Sequence, residues 1–129
     1  MLFFSPLWGQ KSVTSKSLIL AKSFLNQTVE VTVDRPLGSI HPKWKFKYLV
    51  NYGFLKDIFA PDGEELDAYI LKIDKPLKNF SGQVIAIIHR LEDDDDKLVV
   101  IPKNETITDQ EIEKSVEFQE KWFKHKIIR

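Results

Sequence analysis

The chain has 129 residues, which suits one domain with one core, and a hydrophobic content of 43% excludes wholesale disorder. Nineteen basic side chains balance nineteen acidic ones, so the electrostatic footprint of a nucleic-acid binder is missing. The absence of cysteine excludes disulfides, a thiolate nucleophile and cysteine-bound zinc, leaves oxygen or histidine as metal donors, and suits a cytoplasmic location.

Met1 to Val29 carries Lys11, Lys16 and Lys22, several serines and no acid. This sets residues 1–29 apart as an N-terminal leader or extra strand and leaves 30–129 as the main domain. Leu18 to Ala21 is too short for a signal core, and no apolar run approaches the ~18 residues of a membrane span. No membrane partner is expected.

Val29, Val31 and Val33 alternate with Glu30, Thr32 and Asp34, the period-two pattern of a half-buried strand, until Arg35-Pro36-Leu37-Gly38 breaks it. His41 to Tyr48 alternates again, with aromatic residues on one face and lysines on the other, and predicts a second strand. Trp44 and Phe46 are expected in the core. Asn51-Tyr52-Gly53 and Ala60-Pro61-Asp62-Gly63 read as turns. Strands are then expected over Leu66 to Ile73, Gly82 to Leu91 and Leu98 to Ile101, with an acidic loop from Glu92 to Asp96. Thr108-Asp109-Gln110-Glu111 is a capping box, and Ile112, Val116, Phe118, Trp122 and Phe123 form the apolar stripe of a C-terminal helix. Short strands followed by one helix predict an α+β domain, a small barrel with the helix packed on its side.

Asp62-Gly63-Glu64-Glu65-Leu66-Asp67 places four carboxylates in six residues. Two carboxylates on one magnesium, with water and substrate phosphate completing the shell, are a usual protein share of such a site. A solvated acidic turn would give the same spacing. Asp95 and Lys97 share one face of the strand that begins there, so a metal ligand and a phosphate ligand could stand side by side. A solvated hairpin loop is again the alternative. His41, His89 and His125 have no metal-ligand spacing and receive no catalytic role.

Asn51-Tyr52-Gly53-Phe54, followed by Asp62-Gly63-Glu64-Glu65-Leu66-Asp67 and by Asp95-Asp96-Lys97-Leu98-Val99-Val100-Ile101-Pro102, resembles the signature of soluble family I inorganic pyrophosphatases. Phe118 to Lys124 is similar to that family's C-terminal helix. The resemblance covers roughly Glu30 to Arg129. It implies an OB-like five-stranded β-barrel with the helix on its side, and magnesium-dependent hydrolysis of pyrophosphate to two orthophosphates. It implies Asp62, Asp67 and Asp95 as metal ligands, with Glu92 or Asp93 as the remaining one. Tyr52 and Lys97 would contact phosphate and serve catalysis, Lys43 and Lys124 would bind substrate, and Asp34 stands at the family's active-site glutamate. Glu64 replaces the aspartate that helps to deprotonate water, and Phe123 replaces a tyrosine. No arginine stands at the family's phosphate-binding position, for which Arg35 or Arg90 could substitute. The resemblance admits a homo-oligomer.

The chemistry needs only positioning and charge stabilisation, which carboxylates, cations and one tyrosine can supply. Two other readings compete: a non-catalytic barrel that binds phosphate or metal as an interaction module, and an oligonucleotide-binding barrel with Lys43 to Lys47 as its basic aromatic face.

Overall fold

The alternation at Val29 to Asp34 becomes β1 (Thr28–Arg35) in the computed structural model, which describes residues 15–129. Val29 and Val31 point into the core. The chain continues through β2 (Asn51–Phe59), β3 (Glu65–Ile70), β4 (Asn79–Arg90) and β5 (Lys97–Ile101). A short helix α1 (Lys16–Lys22) precedes them, and helix α2 (Asp109–Glu120) and strand β6 (His125–Ile128) complete the order. The strand order is β1-β2-β3-β5-β4, and pairing of β1 with β4 closes the ring into a five-stranded barrel, with β6 added along β4. All pairs are antiparallel except β3 with β5.

Because side chains alternate across a strand, β2 to β5 each serve two apolar clusters, and β1 serves the inner one. One fills the interior with Val31, Leu55, Ala68, Ile70, Val84, Ile87, Leu98 and Val100, and Leu18 and Ala21 of α1 belong to it. The other lies outside the barrel, where Tyr52, Tyr69, Ala86, Ile88, Val99 and Ile101 meet Ile112 and Val116 of α2. The helix starts as expected: Thr108 accepts from the Glu111 amide and the Glu111 carboxylate accepts from the Thr108 amide.

Four expectations are corrected by this geometry. Within the span 1–29, Lys16–Lys22 forms the helix α1 with two side chains in the core, not an extra strand, and Thr28 and Val29 already belong to β1; residues 1–14 lie outside the described residues. His41 to Tyr48 is a tight hairpin with one isolated bridge, Ile40 to Lys47, not a strand. Pro42 has no amide hydrogen to pair, Lys45 adopts φ 65°, and His41 Nδ1 accepts from the Lys43 and Trp44 amides, which curls the chain. Asn51-Tyr52-Gly53 is strand rather than turn, with Gly53 present because a Cβ there would lie 1.9 Å from the Thr32 carbonyl oxygen. Finally, α2 stops at Glu120, and Lys121 to Lys124 turn into β6 instead of extending the helix.

Candidate functional site

The parallel pairing of β3 with β5 sets Asp67 opposite Lys97, and antiparallel pairing sets Lys97 opposite Ile88 of β4. Two residues beyond Ile88 lies Arg90, and two residues beyond Asp67 lies Tyr69, whose partner on β2 is Tyr52. Tyr52, Asp67, Tyr69, Arg90 and Lys97 therefore share the outer face of the barrel. α2 covers one part of that face. Beyond the end of α2, a cleft of about 720 Å³ is left between the barrel, the 36–50 hairpin and the α2–β6 turn, with Asp34, Arg35, Tyr52, Asp67, Arg90 and Lys97 among its walls.

Lys97 is the centre of the polar wall. Its ammonium is almost fully buried and donates to Asp67 Oδ2 at 2.7 Å and Asp95 Oδ1 at 3.0 Å. The Tyr52 hydroxyl donates to the same Asp67 oxygen at 2.8 Å. Burial, and then the Asp67 charge, push the Tyr52 hydroxyl well above its ordinary value, so it remains a proton donor. Asp34 stands across the cleft wall; partial desolvation raises its carboxyl against the pull of Arg35, and the Asp67 charge adds to the rise.

In the cleft wall, Arg90 forms a two-pronged ion pair with the buried Glu120, Nε to Oε1 at 3.0 Å and Nη2 to Oε2 at 2.9 Å, and its Nη1 reaches Asp95 Oδ2 at 3.4 Å. Tyr69 donates to Glu120 Oε2 at 2.6 Å, Gln119 donates to the Tyr69 oxygen at 2.6 Å, and Tyr48 donates to Gln119 Oε1 at 2.9 Å. Burial works against the Arg90 charge, but the hydrogen bonds and charge of Glu120 outweigh it and hold the guanidinium above its ordinary value. Phe123 lies flat against that guanidinium, 3.6 Å from ring centre to Cζ.

The remaining sequence candidates lie away from this centre. Asp62 and Glu64 sit on the exposed β2–β3 turn, where Asp62 Oδ1 accepts from the Glu64 amide and Gly63 has φ 89°. Lys43 rests over the Trp44 ring at 4.7 Å, and Lys124 approaches the equally exposed Glu92 at 3.9 Å. Arg35 lines the cleft, with one guanidinium nitrogen donating to the Asp34 carbonyl at 3.2 Å. Trp44, expected in the core, is 66% exposed. Glu120, Gln119 and Tyr48 carried no sequence signal for the site, because only the packing of α2 against the barrel brings them together.

Among the described residues no group of three or more histidine, aspartate or glutamate side chains converges to hold a metal. The carboxylates gathered round Lys97 are nevertheless hard oxygen donors, and magnesium at phosphate sites commonly takes only one or two carboxylates, with water and substrate oxygens completing its shell. Asp67 and Asp95 fit that share.

The inorganic pyrophosphatase family model matches residues 23–127. Among curated proteins none matches the chain in sequence. Among solved structures, the inorganic pyrophosphatase of Ehrlichia chaffeensis has a TM-score of 0.62 at 13% identity, covering 79% of this chain and 85% of its own. That of Helicobacter pylori gives 0.61 at 15%, covering 79% and 84%, and that of Neisseria gonorrhoeae 0.56 at 23%, covering 70% of each. These likenesses establish the same barrel and helix, and with the family match over most of its length the chain belongs to the inorganic pyrophosphatase family.

Proposed function

We propose that the chain hydrolyses pyrophosphate to two orthophosphates in this cleft, with magnesium as the cofactor. The observation that carries the reading is Lys97 clasped between Asp67 and Asp95 with the protonated Tyr52 beside them, on a face left open by α2. Asp67 and Asp95 would hold the metal, which when bound would supply positive charge against the phosphate oxygens and a more acidic water. Lys97 holds one phosphate by charge, and the Tyr52 hydroxyl, whose raised pKa keeps its proton in place, would pass its one hydrogen bond from Asp67 to phosphate once that carboxylate holds the metal. Arg35, which also lines the cleft, adds a guanidinium contact. Glu64 as a catalytic group, Asp62 and Glu92 as further metal ligands, and Lys43 and Lys124 as phosphate ligands complete the proposed set. A pyrophosphate partner, a homo-oligomer, a cytoplasmic location and the absence of nucleic-acid and membrane partners belong to the same reading; no helix among the described residues is long and apolar enough to cross a membrane.

One observation favours a second reading, a barrel that binds phosphate without turnover. The Lys97 ammonium already stands between the two carboxylates, and Asp62 is engaged in its own turn. Orthophosphate release from pyrophosphate, measured with magnesium and again after chelation, separates the two. Release that chelation abolishes supports hydrolysis. Tight pyrophosphate binding with no release in either condition would establish the binding module instead.

A further inference from the structure

Pyrophosphate has no apolar surface, yet much of the cleft wall is aromatic. Phe46, Tyr48 and Tyr52 have structural reasons to be there, since their rings pack on one another and on Phe118 at centroid distances of 5.3 to 6.0 Å. Trp44 and Trp122 have no such reason. Both line the cleft, from the 36–50 hairpin and the α2–β6 turn respectively, and they are 66% and 68% exposed. Large aromatic surface held in water at the mouth of a cavity, on separate segments, marks a ligand site rather than a core.

Each tryptophan also carries a lysine ammonium over its ring, Lys43 at 4.7 Å and Lys121 at 4.8 Å. The rim thus offers π surface and positive charge together, while Lys97 and Arg35 offer positive charge within the cleft. A cavity of about 720 Å³ falls in the range of sites that enclose whole organic ligands and far exceeds what a bare diphosphate fills. Aromatic faces beside cations suit a ligand with a planar ring at one end and phosphates at the other.

We infer that the cleft takes a nucleoside diphosphate, its base stacked on the rim tryptophans and its phosphates directed toward Lys97 and Arg35. The inference rests on the reading of the cleft as a phosphate site and names the ligand class more closely. It is tested on the full chain by calorimetric titration with ADP and with imidodiphosphate, which stands for pyrophosphate because its P–N–P bridge resists hydrolysis, each with magnesium, for the wild type, Trp44→Ala and Trp122→Ala, beside an assay of orthophosphate release from pyrophosphate. Because both tryptophans are exposed, the variants should fold, which a thermal melt checks. ADP should bind the wild type, and the ratio of ADP to imidodiphosphate affinity should fall by about fivefold or more in each variant, the loss expected when one stacking partner is removed. Imidodiphosphate binding without ADP binding, or a ratio unchanged in both variants, would overturn the inference and leave the phosphate site standing. Binding of a single-stranded oligonucleotide but not of ADP would overturn it in favour of the polymer. ADP binding with the expected loss, but with no turnover of pyrophosphate, would support the ligand class while removing the hydrolytic reading.

Discussion

Lys97 illustrates how a buried charge is retained. Its ammonium is nearly sealed from water, so it depends on Asp67 and Asp95 for compensation. Replacing Lys97 with Met leaves two carboxylates facing each other. We expect imidodiphosphate affinity to drop at least about tenfold, as for loss of a charge-assisted contact, measured by titration. Glu120 is the structural counterpart, fully buried beneath Arg90 and Tyr69. Glu120→Ala leaves the Arg90 guanidinium only its longer contacts to Asp95 at 3.4 Å and Asp93 at 3.9 Å and should cost about 3 kcal/mol in chemical denaturation. Asp67, Tyr52 and Lys97 were legible in the sequence because short motifs on adjacent strands carry them. Arg90 was named only as a candidate phosphate ligand, and Glu120 not at all, because their ion pair joins residues 30 positions apart and depends on where α2 settles. Asp62 and Glu64 show the reverse: the motif named them, while local turn chemistry keeps them on an exposed hairpin.

Whole elements divide in the same way. The capping box fixed the start of α2, and Thr108→Ala should lower stability by about 1 kcal/mol in a thermal or denaturant melt. Its end escaped the sequence, since the apolar stripe runs on through Trp122 and Phe123 after the chain has turned. The chain then enters β6, tied back to α2 by His125, whose Nδ1 faces the Phe123 carbonyl at 2.8 Å and whose Nε2 faces the Glu113 carboxylate. Burial lowers the His125 pKa, but these two acceptors outweigh it and the net shift is upward. A histidine raised in the folded state stabilises below its unfolded value of about 6.5 and loses that contribution as pH rises through the folded value. His125→Gln should therefore flatten the decline of stability as pH rises above about 6.5, read from melts across a pH series. The 36–50 segment is the instructive miss. Its alternation was real, but Pro42 and the left-handed Lys45 turned a strand pattern into a hairpin that walls the cleft.

Closure of the barrel brings these parts into one object. Alternation placed β1, the span after the acidic turn placed β3, and apolar runs placed β4 and β5, while β2 and β6 were missed; nothing in these patterns indicates that β3 and β5 run parallel, and that pairing alone sets Asp67 beside Lys97. The ring also needs β1 to lie close against β2 at Gly53, so Gly53→Ala should destabilise by about 3 kcal/mol through backbone displacement, visible as a lower denaturation midpoint. Sequence and structure meet most directly at Asp67, which ties Lys97 and Tyr52 to the proposed metal position. The decisive measurement is magnesium-dependent orthophosphate release from pyrophosphate by the wild type and by Asp67→Asn, with matched thermal melts. Metal-dependent release in the wild type, lost by a hundredfold or more (on the order of removing one essential electrostatic group) in a variant that stays folded, is the predicted result. Equal release by both proteins would contradict a carboxylate-held metal at this site.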